Sequence, residues 1–213
     1  MKDTRNLIDE IYDDVKKRIL AGELKENTKV SERFLCDQYE TSRTTVRSAI
    51  NKLKNDGWLH VQAKSGTFVA PVDEKAIEDN FQFRVLLEPN LIFLAAPKIT
   101  KQDLDRMRKN CDCMEMEGPE RYVYCEADNH NVIAERAGNP LILKTFHDLM
   151  DNIHRITSKA SSGETGRKKK SVMEWRKIID ALERGDAYMA RQYMIQHIEN
   201  ASDAFWEKFN QKS

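Results

Sequence analysis

The sequence predicts a mostly α-helical chain with one small β-hairpin, on three observations. Apolar residues recur at i, i+3, i+4 and i+7 along most of the 213 residues, which is the pattern of helices with one buried stripe. Only 8 Gly and 5 Pro punctuate the chain, and most of them fall between the periodic stretches. The exception to helical spacing is a pair of short β-prone runs, "WLHVQ" and "GTFVA", separated by Ala63-Lys64-Ser65-Gly66.

Ile8, Ile11, Tyr12, Val15 and Ile19 predict a first amphipathic helix over 5–21, ending near Gly22. "GELKENTKV" follows as a turn and a short extended piece. Ser31 caps a second helix reaching about Tyr39, with Phe34 where a capping-box acid would stand. Thr41 or Ser42 caps a third, in which Val46, Ala49, Ile50 and Leu53 share one face and Gly57 is the stop. With the hairpin after it, the order is that of a winged helix-turn-helix over residues 1–71. Pro71-Val72-Asp73 opens a linker read as 72–76. From there to residue 213 the periodicity predicts an all-α bundle of six or seven helices. "FRVLLEPNLIFLAAP" is expected to kink at Pro89, Thr100 with Asp103 caps the next helix, and further helices cover 120–137 and 140–159. "ASSGETGRKKK" is expected to be a flexible, solvated loop, followed by helices over 170–184 and 187–210.

Composition excludes more than it assigns. Thirty-five basic and 35 acidic residues cancel, so a nucleic-acid partner would have to be met by local arrangement and not by bulk charge. Four cysteines (Cys36, Cys111, Cys113 and Cys125) form no CxxC pair, and a reduced chain is expected. "MKDTRNLIDEIYDD" is too acidic for a signal or transit peptide, and no apolar run approaches the roughly 18 residues of a membrane span. The expected location is the cytoplasm, with no membrane partner.

A recognition helix must bury one face and offer polar side chains from its first turn. "SRTTVR" does this on paper, with Arg43, Thr44, Thr45 and Arg47 beside a helix N-terminus that itself favours phosphate. Spacing alone does not separate this from a solvated helix start. The whole segment, from "IYDDVKKRILAGEL" through "LCDQYETSRTTVRSAINKLKNDGWL" to "KSGTFVAP", resembles the DNA-binding domain of GntR-type bacterial transcription regulators. That resemblance implies operator contacts at Arg33, Ser42, Arg43, Thr44, Thr45 and Arg47, and a wing tip at Lys64, Ser65 and Gly66. "KENTKV" in place of a Pro-Gly turn, and Cys36-Asp37 in place of Leu-Ala, are its departures.

"FRVLLEPNLIFLAA" and "NHNVIAERAGNPLI" resemble the helical effector domain of the FadR-like subgroup. This implies a small-metabolite site, often for a carboxylate, and a divalent metal held by one acid and three histidines. Glu126 and His130 stand at i and i+4 on one predicted helix, and His197 lies on the last, so these three are the candidate ligands for Zn²⁺ or Ni²⁺. The subgroup's remaining histidine falls on Trp175, which cannot ligate, leaving a degraded site for which His154 is a substitute. Arg84, Arg155, His154 and Trp175 are the effector candidates, the arginines because a guanidinium pairs bidentately with a carboxylate. A surface salt bridge is the competing role for each arginine. The expected protein is a homodimeric, effector-controlled regulator of a double-stranded DNA operator, most simply a repressor. The alternatives are a metal-sensing regulator and a metal-dependent enzyme, the second lacking any nominated base or nucleophile.

Overall fold

The computed structural model of the chain describes residues 4–71, 73–116, 119–160 and 165–210. It divides into two compact units, Met1–Asp73 and Glu74–Ser213.

In the first unit, α1 (Thr4–Leu20) is followed by β1 (Lys29–Val30), α2 (Glu32–Gln38), α3 (Arg43–Asn55), β2 (Leu59–Gln62) and β3 (Gly66–Val69). Ser31 and Ser42 cap α2 and α3, their hydroxyls accepting from the N–H groups of Phe34 and Thr45 at 3.2 Å in both cases. The stripe read from the sequence meets in one core: Ile11, Val15 and Ile19 from α1, Leu35 from α2, and Val46, Ala49, Ile50 and Leu53 from α3, closed by Trp58, Leu59 and Val69. The hairpin is part of a three-stranded antiparallel sheet in the order β1-β3-β2, because Lys29 and Val30 pair with Phe68 and Thr67. His60 sits on a strand face, its ring stacked on Phe68.

The second unit contains six α-helices and one short 3₁₀ turn among the described residues: α4 (Glu74–Ala95), the turn Ala96–Lys98, α5 (Lys101–Met116), α6 (Pro119–Ala137), α7 (Pro140–Ala160), α8 (Thr165–Glu183) and α9 (Ala187–Asn210). Thr100 and Asp103 cap α5 reciprocally, each accepting from the other's backbone N–H. Asn139 caps α7 ahead of Pro140, and Asp186 caps α9. α4 packs on α6 and α9, α5 on α6 and α8, and α8 on α9, which brings α4, α6, α8 and α9 around one centre.

Two local expectations are corrected. α4 begins at Glu74, inside the stretch read as a linker, and Pro89 lies within it. The basic run 166–170 is the first part of α8, not a loop. Arg167 reaches two turns along α8 to Glu174 at 2.8 Å, and the Lys168 ammonium lies over the Tyr122 ring. These partners give the run a reason to be helical that its charge pattern hides.

Leu53 is fully buried where α1, α3 and the sheet meet. Leu53→Ala is expected to destabilise the first unit by about 2–5 kcal/mol, the range for emptying such a site. Amide hydrogen exchange of α3 and its denaturant dependence measure this loss.

Candidate functional site

Two groups of side chains stand out, one on each unit. On the first, burying Val46, Ala49, Ile50 and Leu53 forces the opposite face of α3 outward. Ser42, Arg43, Thr44 and Arg47 are exposed there, around the N-terminus of the helix. Arg47 is 64 % exposed and pairs with Glu32 of α2 at 3.0 Å, and Arg33 is 87 % exposed, 3.9 Å from Asp37. Exposed pairs of this kind are worth little and exchange readily for a phosphate or a base edge. Thr45 departs from expectation. It is 6 % exposed, on the arc shared with Val46 and Ala49, and its hydroxyl meets that of Ser42 at 2.9 Å. Its side chain braces the cap and does not join the exposed edge.

At the hairpin tip, Ser65 N–H closes a turn on the Gln62 carbonyl. Lys64 takes a left-handed backbone conformation (φ 61°), a costly position for a residue with a side chain, and is exposed at the apex with Ser65. Gly66 is required by its backbone. Its φ of +127° is a conformation that residues with a Cβ rarely adopt.

On the second unit the centre of the bundle is polar. Arg84 and Glu88, one turn apart on α4, are 3 % and 2 % exposed, so Arg84 is no surface ion pair. Arg84 Nε contacts Glu88 Oε1 at 2.5 Å, and Glu88 Oε2 lies 2.5 Å from His130 Nδ1. His197 Nδ1 is 2.8 Å from Glu174 Oε2, and Glu174 is itself gripped by Arg167 and by the Asn200 amide. Each histidine thus has one ring nitrogen turned to a carboxylate. The other two nitrogens face each other, with His130 Nε2 and His197 Nε2 at 3.3 Å. Glu126 Oε1 is 3.4 Å from His197 Nε2, while Glu126 Oε2 accepts from Ser171.

Burial alone would raise the pKa of Glu88, but Arg84 and His130 outweigh it and hold the carboxyl well below the usual range. Glu126 and Glu174 are lowered in the same sense: burial opposes ionisation, and His197 beside both outweighs it. Burial lowers His130, disfavouring its cation despite Glu88. Tyr122, one turn before Glu126, is held protonated by burial and by that carboxylate.

Trp175 is fully buried among these groups, its ring centroid 4.6 Å from His130 and 5.1 Å from His197. Its indole Nε1 is buried and finds no acceptor among the described residues. Of the residues nominated from sequence, Arg84, Trp175, Glu126, His130 and His197 converge here. The side chains of His154 and Arg155, on α7, lie outside the described residues. Glu88, Glu174, Arg167, Tyr122, Ser171 and Asn200 belong to the cluster but were not nominated as site residues. The seven-residue step from Arg167 to Glu174 and the four-residue steps from Arg84 to Glu88 and from Tyr122 to Glu126 are the signals available for four of them.

The donor set fits a divalent cation in part. One ligand atom each from Glu126, His130 and His197 lies within 4.8 Å of the others. The brace on each imidazole leaves Nε2 to ligate, which is the arrangement metal-binding histidines use. Two features oppose tight binding. Arg84 Nη2 is 3.2 Å from His130 Nε2 and takes the lone pair an ion would need, and Trp175 fills a fourth side with a group that cannot ligate.

A helix-turn-helix with a sheet wing, joined to a helical bundle with a buried polar centre, defines a DNA-binding regulator carrying an effector domain. Comparison with known proteins agrees: residues 7–69 match bacterial regulatory proteins of the gntR family, and residues 79–200 match the FCD domain. The chain belongs to the gntR family, in its FCD-containing, FadR-like subgroup. It is similar to the HTH-type transcriptional regulator YcbG of Bacillus subtilis (25 % identity; 98 % of this chain and 94 % of the relative). It is also similar to the galactonate operon transcriptional repressor of Escherichia coli (21 % identity; 93 % and 96 %). In fold it resembles E. coli McbR/YncC, with a TM-score of 0.81, 18 % identity, and coverage of 98 % of this chain and all of that one. Members of the family are transcriptional regulators and not enzymes, so the enzymatic alternative is set aside. Among the described residues no helix is long and apolar enough to cross a membrane.

Removing one partner of the buried pair leaves a buried charge uncompensated. Arg84→Leu is expected to cost about 3–5 kcal/mol, and Arg84→Leu with Glu88→Leu to recover most of it. Urea denaturation of the two variants measures the difference.

Proposed function

We propose that Arg33, Ser42, Arg43, Thr44 and Arg47, with Lys64, Ser65 and Gly66 at the wing, form the surface that engages operator DNA. The observation that carries this is the exposed, basic first turn of a helix whose opposite face is wholly buried. Arg43 and Arg47 supply bidentate donors for guanine edges, the Ser42–Thr44 backbone and hydroxyls meet phosphate, and Lys64 and Ser65 enter the adjacent groove. A homodimer in the cytoplasm would set two such surfaces on the half-sites of a palindrome, repressing when bound.

In the second unit the effector is a small carboxylate. The support is chemical: Arg84 offers a guanidinium and Trp175 an N–H without an acceptor, at the edge of two imidazoles. The galactonate operon repressor among its relatives controls an operon named for such an acid. Binding at Arg84 would alter its hold on Glu88 and His130, and so bias α4 between two arrangements with different operator affinity. The second reading, a metal-sensing regulator, rests on the convergence of Glu126, His130 and His197. A Zn²⁺ or Ni²⁺ ion bound by them would supply a positive centre for the same carboxylate. Whichever effector acts, Glu88 and Glu174 do the orienting, by fixing which nitrogen of each imidazole faces the centre.

Arg43→Ala and Arg47→Ala are each expected to lose roughly 1–3 kcal/mol of discrimination between operator and unrelated DNA. Gel shifts at fixed salt measure this, and wild-type behaviour in both would remove the assignment. A thermal-shift screen of small organic acids, galactonate included, tests the effector class, since a ligand at a hundred times its Kd adds about 2.7 kcal/mol. No stabilisation by any acid would count against it. Trp175→His is expected to raise affinity for Zn²⁺ or Ni²⁺ by roughly 10–100-fold, by completing the ligand set. Calorimetric titration against wild type decides, and equal affinities would place Trp175 outside the metal's reach.

A further inference from the structure

The chain is expected to be reduced, yet Cys113 and Cys125 are joined by a disulfide. The bond links the last turn of α5 to the second turn of α6, across a Cα–Cα distance of 6.6 Å and a sequence separation of 12. Its position matters because α6 has two jobs on two faces. Glu126 and His130 look into the polar centre. Cys125, Asp128 and Asn129 hold the helix against α5, where Arg106 pairs with Asp128 and Asn110 donates to both Asp128 and Asn129. Cys125 is thus the neighbour in sequence of Glu126 and the covalent part of the grip.

We propose that Cys113 and Cys125 are a reversible thiol–disulfide site, opened and closed by exchange with low-molecular-weight thiols and disulfides, whose state sets how firmly the first half of α6 is held on α5. A cytoplasmic chain, as read above, meets a thiol pool that keeps ordinary cysteines reduced, so a bridge formed there is a regulatory one. The two sulfurs are unequal in access: Cys113 is half-buried and Cys125 is 4 % exposed. Cys111, by contrast, is 1 % exposed, and burial pushes its thiol up to about 11, which removes it from exchange.

The closing step balances as follows. The Cys113 thiolate attacks one sulfur of glutathione disulfide, breaking its S–S bond and releasing one glutathione thiolate. The Cys125 thiolate then attacks Cys113 Sγ in the mixed disulfide, forming the intramolecular bond and releasing the second glutathione. The two protein thiols lose two electrons, the glutathione disulfide gains them, and the two protons end on the two glutathione thiols. In the open state α6 keeps its polar contacts to α5, so the expected change is looser holding of residues 119–130, not unfolding. The exchange chemistry stands apart from the effector reading; only the consequence for Glu126 and His130 depends on it.

The test uses the full chain in glutathione buffers of graded potential. Free thiols are trapped with maleimide and located by mass spectrometry, and amide hydrogen exchange is followed in the same samples. The expected result is a single two-electron transition that removes Cys113 and Cys125 together from the alkylated pool. Exchange of peptides within 119–130 should be at least roughly tenfold faster on the reduced side, with α3 unchanged. Cys125→Ala should show the fast exchange at every potential, and Cys111→Ser should keep the transition. Continued alkylation of both thiols under oxidising buffer, or a transition with identical exchange in α6, would overturn the proposal. Both outcomes are read on the wild-type chain and do not depend on either variant folding.

Discussion

The second unit depends on one constraint: charges taken out of water at the centre of a helical bundle must be matched there. Arg84 and Glu88 are almost wholly buried, and an unmatched ion in that position costs several kcal/mol. The match cannot be made by α4 alone, because Glu88 has a second oxygen and Arg84 a second face. His130 of α6 takes both, and His197 of α9, with Glu174 and Arg167 of α8, completes the chain of partners. Four helices are therefore registered against each other by polar contacts, where a bundle built only of Leu and Ile would tolerate sliding. Hydrophobic burial supplies the drive to associate; the polar centre selects one arrangement.

The same constraint makes the members of the network depend on one another. A network in which each group is satisfied only by its neighbours has few intermediate states, because moving one member strands another. Arg84 cannot turn toward a ligand carboxylate without changing what Glu88 and His130 hold. Trp175, a large rigid ring with an unpaired N–H, stands where such a rearrangement would be felt. It also explains why a metal would have to compete: the guanidinium already occupies the lone pair through which His130 would ligate.

How much of this was legible in the sequence depended on range. The first unit was read almost whole, since Val46, Ala49, Ile50 and Leu53 are spaced by the helix itself, and Ser31, Ser42 and Gly57 mark its ends. Thr45 was the miss there: a residue at the third helical position can face out or brace the cap, and only packing against Val46 and Ala49 decides. In the bundle, Glu126 with His130 was visible because i, i+4 is local. Asn200 is not, because it acquires meaning only once α8 lies along α9, and the role of Glu174 toward His197 is hidden for the same reason. Arg167 is hidden in a basic run, which signals solvent unless one member has an acid two turns away. Sequence spacing likewise does not pair Cys113 with Cys125, whose meeting depends on how α6 packs on α5.

α4 ties these observations to regulation. It starts at Glu74, where the first unit ends, and Arg84 lies ten residues further on, about 15 Å along the helix at 1.5 Å per residue. A rigid helix transmits rotation or translation along its length without needing a chain of side-chain contacts. Arg84 is thus the first buried charge along the helix that follows the first unit.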